Sequence, residues 1–160
     1  MKKIIFVCLG NICRSPLAHT IFQKLAQNNQ LNVIVDSAGI GNWHQGEHAD
    51  PRMRKIAYEK GYDITHRAKQ FTKNDWKEYD IIFSMGEDIT SLLQERFKDS
   101  CNNNIFYFRN FDPMNPLENN VPDPYYGNKN DFNNIYNTIE RTCQTLVDKL
   151  RLKEYPFNKF

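Results

Sequence analysis

No stretch of this 160-residue sequence is long and apolar enough to span a bilayer. The opening MKKIIFVCLG pairs two lysines with a short apolar run. That run ends by Asn11 and no small-residue cleavage site follows, so a secretory leader is not expected. There is no block of lysine or arginine and the net charge is only +2, so a nucleic-acid surface is not expected either. Cysteine is sparse: Cys8, Cys13, Cys101 and Cys143 contain no C-x2-C pair. His19, His44, His48 and His66 show no ligand spacing, so no metal site is expected. Without a leader, the thiols are expected reduced and the protein cytoplasmic. No repeat, low-complexity tract or compositional break appears, which predicts a single domain over residues 1–160, with the tail after about residue 152 left unassigned.

What is present is the balance of a globular chain, 40% hydrophobic and 25% charged. Residues 3–8 form an apolar run that does not alternate, which predicts a strand buried on both faces of a parallel sheet. Ser15-Pro16 predicts an N-cap and first helical position, with Leu17, Ala18, Ile21, Phe22 and Leu25 on one face as far as Asn28 and Asn29. A second strand is predicted at 31–35, then a long glycine-containing loop at 36–51. A helix follows from Asp50-Pro51 to about Lys60, with a short helical turn at 72–76. A third strand at 79–84 leads into a helix carrying Ile89, Leu92, Leu93 and Phe97. A turn at 102–104 and a fourth strand at 105–108 precede a proline- and asparagine-rich loop at 109–130. The last helix, from about Asp131, carries Phe132, Ile135, Tyr136, Ile139, Cys143, Leu146, Val147 and Leu150 in one stripe. This alternation predicts a three-layer α/β fold: a four-stranded, parallel, twisted, Rossmann-like sheet with helices on both faces.

The chemistry concentrates where the first strand meets the first helix. Ligands of such sheets bind at the carboxyl ends of the strands, and Cys8 stands at such an end. The segment CLGNICRS puts a thiol and an arginine, with five residues between them, around a tight turn and a helix N-terminus. Backbone N–H groups and Arg14 would favour the thiolate of Cys8 and cradle a phosphate-sized dianion along Leu9, Gly10, Asn11, Ile12, Cys13, Arg14 and Ser15. Gly10 permits a backbone that a side chain resists, Asn11 tolerates left-handed geometry, and Ser15 is placed to donate to the sulfur. Such a site needs an acid for the leaving group. Asp123 of VPDPYYG is the candidate, stiffened by two prolines, with aromatic neighbours that favour its protonated form.

Together VCLGNICRSP at 7–16, VDSAG at 35–39, NWHQGEHADPR at 42–52 and DPYYG at 123–127 resemble the low-molecular-weight protein tyrosine phosphatases, over nearly the whole chain. The resemblance implies the phosphotyrosine phosphatase I-like version of this fold and no cofactor. It implies Cys8 as nucleophile, Arg14 as phosphate clamp and Asp123 as general acid and then base. Asn11, Ser37 and His66 look like supports of the phosphate loop, with Asp36 orienting His66. Trp43, Tyr125 and Tyr126 look like walls for a substrate ring. The implied substrate is a phosphotyrosine protein or a small aryl phosphate, turned over by a monomer or weak dimer. Cys13 is close enough in the loop for a reversible disulfide with Cys8.

The chain departs from the family pattern at Gly86 and Ile89, where aspartate and asparagine are frequent, and at Lys69, where arginine is frequent. Phosphoarginine phosphatases of the same family tend to carry threonine where this chain has Ile12, whose apolar side chain suits an aryl ring. Arsenate reduction on this fold needs a cysteine pair that residues 72–100 lack. A non-catalytic phosphate-binding module would be expected to have lost Cys8, Arg14 or Asp123, and all three are present.

Overall fold

Strand β1 (Lys2–Cys8) is buried along its length from Ile4 onward. Its neighbours explain why its pattern does not alternate. It pairs in parallel with β2 (Val33–Gly39) on one side and with β3 (Ile81–Ser84) on the other; β3 in turn pairs in parallel with β4 (Ile105–Tyr107). The strand order is β2-β1-β3-β4. The chain therefore leaves β1 in one direction and resumes on its other side, and Cys8 ends the strand where that order reverses.

Among the described residues five α-helices cover the sheet: α1 (Arg14–Asn28), α2 (Pro51–Glu59), α3 (Lys73–Glu78), α4 (Glu87–Phe97) and α5 (Lys129–Arg151). Two apolar clusters show which face each covers. Ile4, Phe6 and Cys8 pack with Leu17, Phe22, Met53 and Ile139 of α1, α2 and α5. Ile5 and Val7 point the other way, to Trp76, Ile89 and Leu93 of α3 and α4. The period-two geometry of β1 thus supplies both cores. The structure, a computed structural model, describes residues 1–98 and 104–154. Among these, no helix is long and apolar enough to cross a membrane.

Local chemistry explains the helix starts. Thr72 with Asp75, and Asn128 with Asp131, form reciprocal capping boxes for α3 and α5. Asp50 caps α2 ahead of Pro51. Several boundaries differ from the sequence expectation. Residues 36–39, expected in a loop, extend β2 because they pair with Ile5–Cys8; their small polar side chains mask a strand. Helix α1 begins at Arg14 with Cys13 as cap residue, not Ser15, because the Ser15 side chain is drawn to the Cys8 sulfur. Strand β4 stops at Tyr107, where a 3-10 turn (Phe108–Phe111) begins, and α5 starts at Lys129. Most of the turn expected at 102–104, Cys101, and the tail from residue 155 lie outside the described residues.

The long segment before α5 is strapped down. Asp112 is fully buried between Arg109 (2.8 Å) and Arg141 of α5 (2.7 Å). Arg109 also donates to the Asn120 carbonyl, and the Val121 N–H to the Met85 carbonyl at the end of β3. These bonds bring the following Pro-Asp-Pro to the carboxyl end of the sheet.

Candidate active site

A cavity of about 300 Å³ opens at that end, lined by Cys8, Leu9, Gly10, Ile12, Cys13, Arg14, Trp43, His44, Asp123, Tyr125 and Tyr126. Cys8 lies at its floor and is 2% exposed. The Asn11 N–H points at its sulfur from 3.3 Å, and the Ser15 hydroxyl lies 2.9 Å from it.

The direction of the Ser15 bond follows from its neighbours. The Asn11 amide nitrogen, a donor only, lies 2.8 Å from Ser15 Oγ and 3.1 Å from Ser37 Oγ. The other end of that amide, Oδ1, accepts the Lys69 backbone N–H at 3.0 Å, which identifies it as the oxygen. His66 Nε2, 2.8 Å away, therefore donates to it. Ser15 thus accepts from Asn11, and its hydroxyl proton is placed to go to Cys8 Sγ when that sulfur is a thiolate; among the described residues the alternative acceptor, the Ala38 carbonyl, is at 3.5 Å. A thiolate is the sulfur species that such a donor favours.

Asn11 occupies this central place at φ 58°, the left-handed geometry expected of it. Gly10 does not have a positive φ; its missing side chain instead admits the His44 ring, which a Cβ would meet at 3.2 Å. Gly39 is the tighter constraint: a Cβ there would lie 2.9 Å from the Leu9 carbonyl oxygen, so the loop rests on bare β2 backbone.

Arg14, buried, reaches across the cavity. Its guanidinium donates to the Val121 carbonyl at 2.9 Å and meets Asp123 Oδ2 at 3.4 Å. The other Asp123 oxygen accepts the Tyr125 N–H at 3.1 Å. Asp123 is 42% exposed, so its surroundings are wetter than its aromatic neighbours suggest. Arg52 binds both oxygens of Asp50 and the Tyr125 carbonyl, and stacks 4.4 Å over Phe132, tying the tyrosine wall to α2 and α5. Trp43 is 64% and Tyr126 97% exposed, aromatic surface left open at the rim. Burial, and then Asp50, push the Cys13 thiol well up, so Cys8 is the sulfur placed for attack.

The model of the family described as low molecular weight phosphotyrosine protein phosphatase matches residues 3–155. The chain belongs to this family. The low molecular weight phosphotyrosine protein phosphatase of Sus scrofa is 36% identical over 154 residues, 94% of this chain and 96% of its own. The low molecular weight protein-tyrosine-phosphatase of Streptomyces coelicolor is 32% identical over 155 residues, 93% of each chain. The crystal structure of a protein tyrosine phosphatase from Entamoeba histolytica, with Hepes in its active site, superposes with a TM-score of 0.87. It is 36% identical and covers 96% of this chain and 99% of that one.

In this phosphatase Cys8, Arg14, Asp123, Trp43, Tyr125 and Tyr126 all face one cavity. Asn11 and Ser15, expected to contact phosphate, have their side chains turned behind the loop, bonded to each other. Asp36 does not orient His66 by a hydrogen bond. The two lie 3.8 Å apart, and Asp36 is held by the Ser37 N–H, the Tyr79 hydroxyl and the Lys69 ammonium. Burial alone would raise the Asp36 carboxyl, but these donors outweigh it and hold it below its ordinary value. Lys69, which stands where arginine is frequent, thus serves the network twice, through its ammonium and its backbone N–H. Gly86 and Ile89 also find a reason. A Cβ at Gly86 would lie 2.8 Å from Asn120 Oδ1, which caps the Glu87 N–H, and Ile89 is buried in the second core.

Two residues went unread. His44 lines the cavity and is paired with Glu47 at 2.7 Å; its place beside Trp43 was the available signal. His19 on α1 lies 3.2 Å from Ser37 Oγ and 5.0 Å, ring to ring, from His66; only the fold brings them together. Burial, and then the neighbouring His66, hold His19 down at about 4.

Proposed function

We propose that this phosphatase hydrolyses phosphotyrosine monoesters, in proteins or as small aryl phosphates, through a phosphocysteine. Cys8 Sγ attacks phosphorus opposite the ester oxygen. The P–O bond breaks, its electron pair passing to the phenolic oxygen, which takes a proton from Asp123. The Asp123 carboxylate then accepts a proton from water as the water oxygen attacks phosphorus. The S–P bond breaks, returning Cys8 as thiolate and releasing inorganic phosphate. Backbone N–H groups of Leu9–Arg14 and the guanidinium fork of Arg14 hold the phosphoryl oxygens. Trp43, Tyr125 and Tyr126 flank the ring, and Ile12 gives the loop an apolar edge.

One observation carries this reading: the Ser15 hydroxyl, which accepts from Asn11, lies 2.9 Å from the Cys8 sulfur, where its proton can meet a thiolate. It is a device for a sulfur that must be attacked and released in turn. The test is hydrolysis of an aryl phosphate and a phosphotyrosine peptide by the parent enzyme, Cys8→Ser and Asp123→Ala. Cys8→Ser is expected to be inactive. Asp123→Ala is expected to lose roughly 10²–10⁴-fold in kcat while still binding phosphate. Substantial turnover by Cys8→Ser would remove the covalent mechanism.

A further inference from the structure

The tyrosine wall of the catalytic cavity has a second side. Arg52 of α2 lies between two rings, 5.6 Å from the centroid of Tyr125 and 4.4 Å from that of Phe132. Tyr125 lines the catalytic cavity. Arg52 and Phe132 line a separate cavity of about 330 Å³, together with Lys55, Ile56 and Lys129. Its base is apolar, with Ile56 and Phe132 both buried. Its rim is cationic. Lys55 and Lys129 are exposed, and neither has an ion-pair partner among the described residues. Lys55 also borders a groove with Glu59 and Asp63, yet pairs with neither. Arg52 gives Nε to Asp50 and Nη2 to Asp50 and the Tyr125 carbonyl, and its Nη1 is left to donate elsewhere. The neighbouring acids are committed, Asp50 to Arg52 and Asp131 to the capping box of α5. The amino end of α5 adds partial positive charge at the same rim.

Its position makes this cavity part of substrate recognition. Measured through Arg52, the Tyr125 and Phe132 rings are at most about 10 Å apart, a span of roughly three residues of extended chain. A phosphotyrosine ring held against Tyr125 therefore brings its near neighbours in the peptide to the cavity mouth. A glutamate suits what it meets there: methylenes over the apolar base, and a carboxylate among Arg52 Nη1, Lys55 and Lys129. A lysine in the same place is repelled. We propose that Arg52, Lys55 and Lys129, over Ile56 and Phe132, form a subsite that selects an acidic residue within about three positions of the phosphotyrosine, on one side of it. The subsite rests on the phosphotyrosine reading above and adds a sequence preference to it.

The test uses the full-length enzyme, a small aryl phosphate, and phosphotyrosine peptides carrying Glu, Ala or Lys at each of about three positions before and after the phosphotyrosine. Glu on one side is expected to raise kcat/KM roughly 3–10-fold over Ala, the range of two exposed ion pairs, and Lys to lower it. Lys55→Glu and Lys129→Glu are each expected to shrink that advantage, and the double variant to reverse it, with aryl phosphate turnover within about twofold of the parent. Lys77→Glu on α3, over the opposite face of the sheet, makes the same change in net charge and is expected to keep the advantage. In the parent alone, the advantage is expected to fade between about 0.05 and 0.5 M salt. No preference for Glu at any position, a preference that survives the double variant or high salt, or its loss in Lys77→Glu would each overturn the proposal. So would a parallel loss of aryl phosphate turnover in the Lys55 and Lys129 variants. If a second copy of the chain filled the cavity instead, Lys129→Glu would alter the sedimentation of the protein and leave peptide preference as it was, which also overturns it. A parent that hydrolyses the aryl phosphate and every phosphotyrosine peptide equally well contradicts the subsite alone. A parent that hydrolyses neither contradicts the phosphotyrosine reading, and the subsite with it.

Discussion

Replacing Asn11 by alanine and, separately, by aspartate separates what holds the phosphate loop from what activates its sulfur. Alanine removes the acceptor of His66 Nε2–H and of the Lys69 N–H, and the donor to Ser15 and Ser37. A stranded, partly buried donor costs about 1–3 kcal/mol, and two at the lower end make about 2–4 kcal/mol. Alanine at φ 58° adds about 1 kcal/mol of left-handed strain. At roughly 2–4 °C per kcal/mol for a chain of this size, the melting temperature should fall by roughly 10 °C. Aspartate keeps the acceptor and the tolerance of left-handed backbone, so it should melt nearer the parent. It has no N–H to give, so Ser15 can turn its proton from Cys8 to the new carboxylate. A hydrogen bond to a charged group contributes about 1.5–3 kcal/mol, so Asn11→Asp should lose roughly 10–100-fold in kcat/KM on an aryl phosphate. Thermal melts and steady-state kinetics on the three proteins give both readouts. If Asn11→Asp keeps kcat/KM within threefold, the assignment of the Ser15 proton to the sulfur is wrong.

Other perturbations bear on separate parts of the structure. Asp112→Ala should cost about 3–5 kcal/mol in denaturant unfolding, because it strands Arg109 and Arg141. Burial would raise the Asp112 carboxyl, but hydrogen bonds from Arg141, the Met114 N–H and Arg109 outweigh it and hold it below 3.8. The native state therefore favours the ionised form. The stability advantage of the parent over Asp112→Asn should be full above pH 3.8 and shrink as pH falls through the native value; an advantage independent of pH down to acid unfolding would contradict the pairing. Ile12→Thr should lower turnover of a phosphotyrosine peptide relative to a phosphoarginine peptide, since Ile12 supplies apolar lining. Parent rates equal to or higher on phosphoarginine would overturn the aryl assignment. Gly39→Ala should destabilise the fold and slow catalysis together, because its Cβ would press on the Leu9 carbonyl.

The fold was legible wherever local pattern and tertiary role coincide. The apolar run of β1 reads as doubly buried because helices do cover both of its sides, and the stripe of α5 needs only its own period. The carboxyl half of β2 was not legible, because Asp36 and Ser37 look like loop residues and become strand only through pairing with β1. The site divides in the same way. Cys8, Asn11, Arg14 and Ser15 lie in one contiguous segment whose spacing speaks for itself. Asp123 was visible only as an aspartate between prolines; its meeting with Arg14 depends on the Asp112 anchor and the Val121 bonds. The roles of Lys69 and Asn120 and the closeness of His19 to His66 rest on contacts between distant segments, which no local spacing encodes.

The proposed mechanism requires Cys8 to become phosphorylated. Acid-quenched mixtures of enzyme and aryl phosphate, sampled within the first turnovers and digested, should yield a phosphoryl adduct on the peptide containing Cys8. The adduct should form as fast as phenol is released and decay as fast as phosphate appears. A parent enzyme that turns over with no such adduct, or with the phosphoryl group on another residue, would contradict it.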